Sequence, residues 1–200
     1  MSALPKTFQD WFTGRGWSAH PHQLEMLRKS ASPATLLIAP TGGGKTLAGF
    51  LPTLAELADG QHDGLHTIYV SPLKALAADI RRNLSTPITE MGLPIRVEDR
   101  TGDTSQTEKK RQRVDPPHIL LTTPESLALL LSYEDAPNMF RGLSRIVVDE
   151  IHALHESKRG DQLMLCLAEL SAMCPGLRRV GLSATVEDPD AIAHYLARHP

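Results

Sequence analysis

Two sets of residues in this chain have the side chains and spacing for phosphate chemistry. Ala39 to Thr46 read APTGGGKT, with an apolar run before them and an apolar pattern at helical spacing after. In such a loop the backbone N–H groups of Thr41, Gly42, Gly43 and Gly44 wrap phosphates, Lys45 reaches the outer two, and the Thr46 hydroxyl coordinates Mg2+. The strict pattern has glycine where Ala39 stands, so the reading depends on a strand before the loop and a helix after it. The second set is RIVVDEIH, Arg145 to His152. Carboxylates that end a buried parallel strand face the crevice where open α/β sheets bind ligands. Asp149 is then expected to hold magnesium, directly or through water. Glu150 is expected to orient and deprotonate the attacking water, because phosphoryl transfer asks a protein mainly for positioning and charge stabilisation. Two acids after an apolar run also fit a solvated strand end. It is Lys45 in the same chain that favours phosphate chemistry.

The elements that must position these groups follow from hydropathy. Apolar runs at Thr35–Ala39, Thr67–Val70, Ile95–Glu98, His118–Thr122, Arg145–Asp149 and Arg178–Ser183 alternate with segments of helical periodicity. The helices are expected at Pro21–Lys29, Lys45–Ala58, Lys74–Glu90, Pro124–Leu131 and Asp161–Met173. That alternation predicts βαβ units and a parallel sheet. Runs such as Ile146–Val148 and Ile119–Leu121 do not alternate, so the strands should be covered on both faces. Turn-rich breaks at Asp59–Gly64 and Glu134–Asn138 read as surface loops, neither long enough to separate domains.

Composition narrows the class. Two hundred residues, 41% of them apolar, suffice for one sizeable core. The net charge of −2 marks neither a general polyanion binder nor a membrane-surface protein, so any nucleic-acid site must be local. Cys166 and Cys174, the only cysteines, fall on what reads as one helix, roughly 12 Å apart at ~1.5 Å rise per residue, too far to bridge. The chain opens with no basic-then-apolar leader, and no uninterrupted apolar stretch reaches the about 18 residues of a membrane span. A soluble, reducing, cytoplasmic protein with no membrane partner is expected.

Taken in order, the motifs resemble a known family. Asp149-Glu150-Ile151-His152 is a DExH box, APTGGGKT is similar to the helicase form of the Walker A loop, and Ser183-Ala184-Thr185 after a strand matches the SAT motif. Together they resemble the first RecA-like domain of a superfamily 2 helicase. SPLKALA from Ser71, RTGDT from Arg100, TTPESL from Thr122 and KRG from Lys158 are similar to the large helicase-related, or Lhr, proteins. HPHQLEML, GFLPTLAEL and GLRRVGLSAT are similar to the bacterial branch described as ligase-associated DEXH-box DNA damage response helicases.

The resemblance implies an α/β RecA-like P-loop NTPase domain over residues 1–200, its parallel β-sheet flanked by helices on both faces, with 1–33 as an adenine-recognition extension. The implied cofactors are ATP and Mg2+. The implied partners are single-stranded DNA, tracked by an ATP-driven motor in DNA repair, and the second RecA-like domain and C-terminal accessory domains of a longer protein. Three segments are implied to hold the nucleic-acid backbone: Ser71, Pro72, Leu73 and Lys74; Arg100, Thr101, Gly102 and Asp103; and Thr123, Pro124, Glu125 and Ser126. Two of them open helices at a proline, where free N–H groups suit phosphates, although capping alone would explain them too. His152, Ser183, Ala184 and Thr185 are implied to couple the ATP site to the rest of the motor.

Gln23 sits where related helicases place a glutamine against adenine. Trp11, Phe12 and Trp17 are open candidates for an aromatic partner, with core packing the plainer reading of each. The charge run Glu108–Arg113 could attract DNA or simply be a solvated face. The histidines show no metal-ligand spacing with the cysteines. RNA in place of DNA, a nucleotide switch, and a binding-only module remain alternative readings.

Overall fold

The structure is a computed structural model that describes residues 4–40, 42–73, 75–184 and 186–197, with backbone alone at 75–78. Thr41, Lys74 and Thr185, three of the expected site residues, lie outside the described residues. The elements run α1 (Lys6–Gly14), α2 (Pro21–Arg28), β1 (Ala34–Ile38), α3 (Lys45–Leu57), β2 (Thr67–Val70), α4 (Ala75–Glu90), β3 (Val97–Arg100), α5 (Gln106–Val114), β4 (Ile119–Thr122), α6 (Pro124–Leu131), α7 (Ala136–Met139), β5 (Arg145–Val148), α8 (Ile151–Leu154), α9 (Lys158–Met173), β6 (Arg178–Ser183) and α10 (Pro189–Ala197).

The strands form one parallel sheet in the order β1-β6-β5-β2-β4-β3. Alternate residues of each strand serve opposite faces. Ile68, Val70, Ile146 and Val148 pack with α6, α9 and α10, whereas Tyr69 and Val147 pack with α1 to α4. Both faces are therefore covered, as the non-alternating runs require.

Local chemistry sets several boundaries. Ser105 and Glu108 form a reciprocal capping box at the start of α5, and Thr123 and Ser157 accept the amides of Ser126 and Gly160 to start α6 and α9. The third strand lies two residues beyond the apolar stretch at Ile95–Glu98. Ile95 is buried from a tight turn, its N–H bonded to the Leu93 carbonyl, and β3 is an edge strand whose acids pair outward, Asp99 with Arg81 and Glu98 with Arg111. Its hydrophilic sequence hides it. The break at 134–138 runs into the single turn α7, and Cys174 caps α9 rather than lying within it. Both cysteines are free and buried.

A buried ion cluster closes the amino ends of β2, β5 and β6. Arg145, 1% exposed, and Arg178 both fork onto Glu56, and Arg145 also donates to the Thr53 hydroxyl. Thr53 and Thr67 share a hydrogen bond of 3.0 Å, Thr67 meets His66 Nδ1 at 2.8 Å, and His66 Nε2 lies 3.2 Å from Glu56. Burial pushes the Glu56 carboxyl up, but hydrogen bonds from His66, Arg145 and Arg178 outweigh it and hold the group well below the usual carboxylate range. Burial lowers His66. A neutral ring donating from Nε2 lets every hydroxyl in the circuit donate in one direction, from Thr53 to Thr67 to His66.

Candidate nucleotide cleft and nucleic-acid edge

The glycine-rich loop follows β1 and turns into α3. Gly44, the residue before α3, has φ +72°, and a Cβ there would lie 2.9 Å from Gln23 Nε2. Only glycine combines that left-handed backbone with so close a neighbour. The first amides of α3 are left without helical partners and face the cleft, which suits an anion. The cleft measures about 430 Å³ and is lined by Gly42, Gly44, Lys45 and Thr46, by Asp149 and Glu150 across from them, and by Asp79, Ile80 and Asn83 of α4. Lys45 is buried, and its Nζ lies 3.3 Å from Glu150 Oε1.

Asp149 extends the ladder of β5, its N–H bonded to the Val70 carbonyl at 2.8 Å. One carboxylate oxygen accepts the Tyr69 hydroxyl; the other, Oδ1, is buried and has no partner among the described residues. Burial, reinforced by the neighbouring Glu150 charge, pushes the Asp149 carboxyl up, against the Tyr69 hydrogen bond and the Lys45 charge. An unsatisfied carboxylate oxygen lining one cleft with Thr46 suits a hard divalent cation such as magnesium, which takes one or two protein oxygens and fills its octahedron with water and phosphate. Among the described residues no group of three or more His, Cys, Asp or Glu could hold a metal by itself.

Glu150 has φ 47° and ψ 42°, a left-handed conformation unusual for a side chain other than glycine, asparagine or aspartate. That kink ends the strand ladder, starts α8 and turns the carboxylate toward Lys45. His152, two residues on, places Nε2 3.3 Å from Glu150 Oε2 and Nδ1 2.9 Å from the Ser183 hydroxyl at the end of β6. A continuous polar path thus joins Lys45, Glu150, His152 and Ser183. Ala184 follows it directly.

A second hollow, about 540 Å³, shares Gly42, Gly44 and Leu47 with the first and is walled by Phe12, Trp17, His20 and Gln23. The Gln23 amide is buried; its Oε1 accepts the His20 N–H at 2.9 Å and its Nε2 approaches the Gly44 carbonyl at 3.5 Å. It therefore ties α2 to the phosphate loop. Of the three aromatic candidates, Phe12 is 5% exposed, the Trp11 indole donates to Glu90, and Trp17 faces the hollow at 52% exposure.

The three segments expected to hold a strand follow β2, β3 and β4, which are adjacent in the sheet and end in register at Val70, Arg100 and Thr122. Ser71 is buried and brackets a turn to Leu73, which is 56% exposed, next to the buried Pro72. Thr101 and Thr104 close the turn that carries Gly102 and Asp103. Thr123 caps α6 behind Pro124, with Ser126 as its partner, and Glu125 pairs with Arg159 at 2.5 Å. Arg100 differs from the expectation for a phosphate contact. Its side chain is 2% exposed and donates to the Lys109 carbonyl and Gln112, because the shifted strand directs it into the fold under α5. The run Glu108–Arg113 lies on α5, where Arg111 pairs with Glu98 and Arg113 with Asp135. Its charges are thus largely spent within the domain.

A sequence model of the family described as DEAD/DEAH box helicase matches residues 20–192. The chain belongs to the DEAD/DEAH box helicase family. It is 41% identical over 209 residues to the ATP-dependent helicase Lhr-Core protein 2 of Thermococcus barophilus, covering 96% of this chain and 24% of that protein. It is 38% identical to the Lhr helicase/uracil glycosylase of Escherichia coli, covering 98% of this chain and 14% of the relative. The solved structure of Mycobacterium smegmatis helicase Lhr bound to ssDNA and AMP-PNP superposes with a TM-score of 0.90 at 40% identity, over 98% of this chain and 27% of that one. The chain thus spans about a quarter or less of these relatives. Among the described residues no helix is long and apolar enough to cross a membrane.

Within this DEAD/DEAH box domain, the sequence pattern does not point to Tyr69, Asp79 or Asn83. Tyr69 is an aromatic within an apolar strand, and nothing local pairs it with Asp149. Asp79 and Asn83 lie one helical turn apart on α4, a spacing that marks one face but not which cleft it borders.

Proposed function

We propose that this domain is the ATP-binding half of a DNA helicase or translocase in which ATP hydrolysis drives movement along single-stranded DNA. The observation that carries this reading is the arrangement on the carboxyl edge of one sheet. The phosphate loop follows β1, Asp149 and Glu150 follow β5, Ser183 ends β6, and the strand-holding segments lie at the ends of β2, β4 and β3. A nucleotide cleft and a nucleic-acid edge then share one rigid sheet, and the Glu150–His152–Ser183 path supports communication from the first. A nucleotide switch or small phosphotransferase would have no use for that second edge.

The roles are these. The amides of Thr41, Gly42, Gly43 and Gly44 hold phosphates, and Gln23 and Trp17 border the base. Thr46 and Asp149 would hold Mg2+, which when bound neutralises charge on the outer phosphates. In the resting cleft Lys45 neutralises Glu150; an arriving γ-phosphate competes for the ammonium and frees the carboxylate to take the proton of the attacking water. Ser71, Pro72, Leu73, Lys74, Thr101, Gly102, Asp103, Thr123, Pro124 and Ser126 hold the DNA backbone, and Arg100 supports them from beneath. A second RecA-like domain, for which the greater length of the relatives leaves room, supplies the arginine for the developing charge. The free, buried cysteines support a cytoplasmic, reducing setting, and the HPHQLEML and GLRRVGLSAT segments support the ligase-associated repair branch.

The test is ATP turnover with and without single-stranded DNA or RNA, measured on these 200 residues alone and joined to the C-terminal segment that longer relatives carry. Stimulation by DNA in the joined protein is expected. Turnover indifferent to either polymer would refute the motor reading, and a response to RNA alone would move the substrate to RNA.

A further inference from the structure

The end of α1 is built to fix one side chain. Gly16 has φ +68°, and the amides of Gly16 and Trp17 return to the carbonyls of Thr13 and Phe12 at 2.9 and 2.8 Å. This paired pattern at a helix C-terminus fixes the backbone of Trp17 just past the helix. The indole is then held from behind. The Arg15 guanidinium stands 4.8 Å from the Trp17 ring centroid and 5.4 Å from that of Trp11, and Trp11 meets Trp17 edge to face at 5.9 Å. Both supports are anchored to Glu90, the last residue of α4. Arg15 forks onto its two carboxylate oxygens, with Nε at 2.9 Å, and the Trp11 indole donates at 2.7 Å. These donors hold the Glu90 carboxyl below its ordinary range.

A lone exposed ion pair contributes little, but a bidentate pair shared with an indole N–H and two ring contacts is a network with defined geometry. Trp17 walls the hollow that continues the phosphate cleft, and neither Arg15 nor Trp11 lines that hollow. We infer that Arg15 and Glu90 are positioning residues for the nucleotide base, holding the Trp17 indole as a preformed platform on which the base stacks. The inference rests on the nucleotide reading of the cleft. It adds a physical link from the base end of the site to α4, whose other turns border the phosphate end through Asp79 and Asn83.

The experiment measures binding of Mg·ATP and of inorganic Mg·tripolyphosphate, which lacks a base, to the 200-residue chain. Arg15→Ala should weaken ATP by about fivefold or more, the effect of losing one aromatic stack, while tripolyphosphate stays within about twofold. Retained tripolyphosphate binding also shows that the variant is folded. Glu90→Gln keeps an acceptor for Trp11 but loses the charge and should fall between the two. Adding Trp17→Ala to Arg15→Ala should cost no more than Trp17→Ala alone, because both act through one ring. ATP affinity unchanged in Arg15→Ala, equal loss of both ligands, or losses that multiply in the double variant would overturn the inference. Failure of the unaltered chain to bind either ligand would overturn the nucleotide reading, and the inference with it.

Discussion

Tyr69→Phe isolates one hydrogen bond at the centre of the site. The Tyr69 ring is 1% exposed and stacks on Phe50 at 4.9 Å with the planes 20° apart, and phenylalanine keeps that packing. What disappears is the hydroxyl that donates to Asp149, leaving the Glu150 backbone and the Lys45 charge to favour the ionised form. A hydrogen bond to a buried charge contributes about 1.5–3 kcal/mol; because the variant also no longer buries a hydroxyl, a net loss of about 1–2 kcal/mol at pH 7 is expected. The sign with pH follows from the carboxyl. Asp149 is already raised by burial above the ordinary aspartate value of 3.8, so folding favours its neutral form, and stability from this group is lost as pH rises through the folded pKa. Removing the donor raises that pKa further. The difference between variant and parent should therefore be small well below pH 3.8, where the carboxyl is protonated in folded and unfolded states alike, and grow to its full size at neutral pH. Urea unfolding at several pH values measures it, and Mg·ATP titration should show affinity reduced by about fivefold as the Asp149 carboxylate loses its fixed orientation. A stability loss independent of pH, or one below about 0.5 kcal/mol at pH 7, would refute the reasoning.

In a protein carrying both motor domains, Lys45→Ala should abolish tight nucleotide binding. Glu150→Gln should keep Mg·ATP bound yet slow turnover by about two orders of magnitude or more, so near-normal turnover in steady-state assays would remove Glu150 from its role. Glu56→Ala strands the buried Arg145 charge and should cost about 3–5 kcal/mol in urea unfolding. Because Glu56 and His66 are both lowered in the fold, stability should decline below about pH 6.5 as His66 is protonated and again below about pH 4.5, and Glu56→Gln should flatten the second decline. Gly160→Ala would bring a Cβ to 2.0 Å from the Leu154 carbonyl oxygen, where α8 meets α9. Thermal unfolding should show a loss of about 1–3 kcal/mol, with turnover reduced as the His152–Ser183 contact shifts. DNA affinity should fall with salt at a slope of about −0.7 per phosphate neutralised and be nearly equal for scrambled oligonucleotides, as filter binding across salt concentrations can check.

What the sequence by itself determined is chemistry made by contiguous residues. A phosphate loop is built from successive backbone amides and the lysine and threonine that follow them, so APTGGGKT is legible as a candidate loop of that kind in eight letters, and DEIH as a strand end in four. Strands covered on both faces announce themselves as unbroken apolar runs, which is why five of the six were legible and the edge strand, with its charged pairs, was displaced by two residues. The tertiary structure alone decided which side chains meet across the sheet. Parallel pairing puts Tyr69 beside Val147 and so brings its hydroxyl to Asp149, 80 residues away. The same packing turned Arg100 inward under α5, put Phe12 and Trp17 but not Trp11 on the wall of the second hollow, and left Trp17 the exposed one of that pair. It also drew Glu56, Arg145 and Arg178 into one cluster. None of these has a local signature. A buried charge or hydroxyl is satisfied by whichever partner the strand order delivers, and that order is settled by how whole helices cover the sheet.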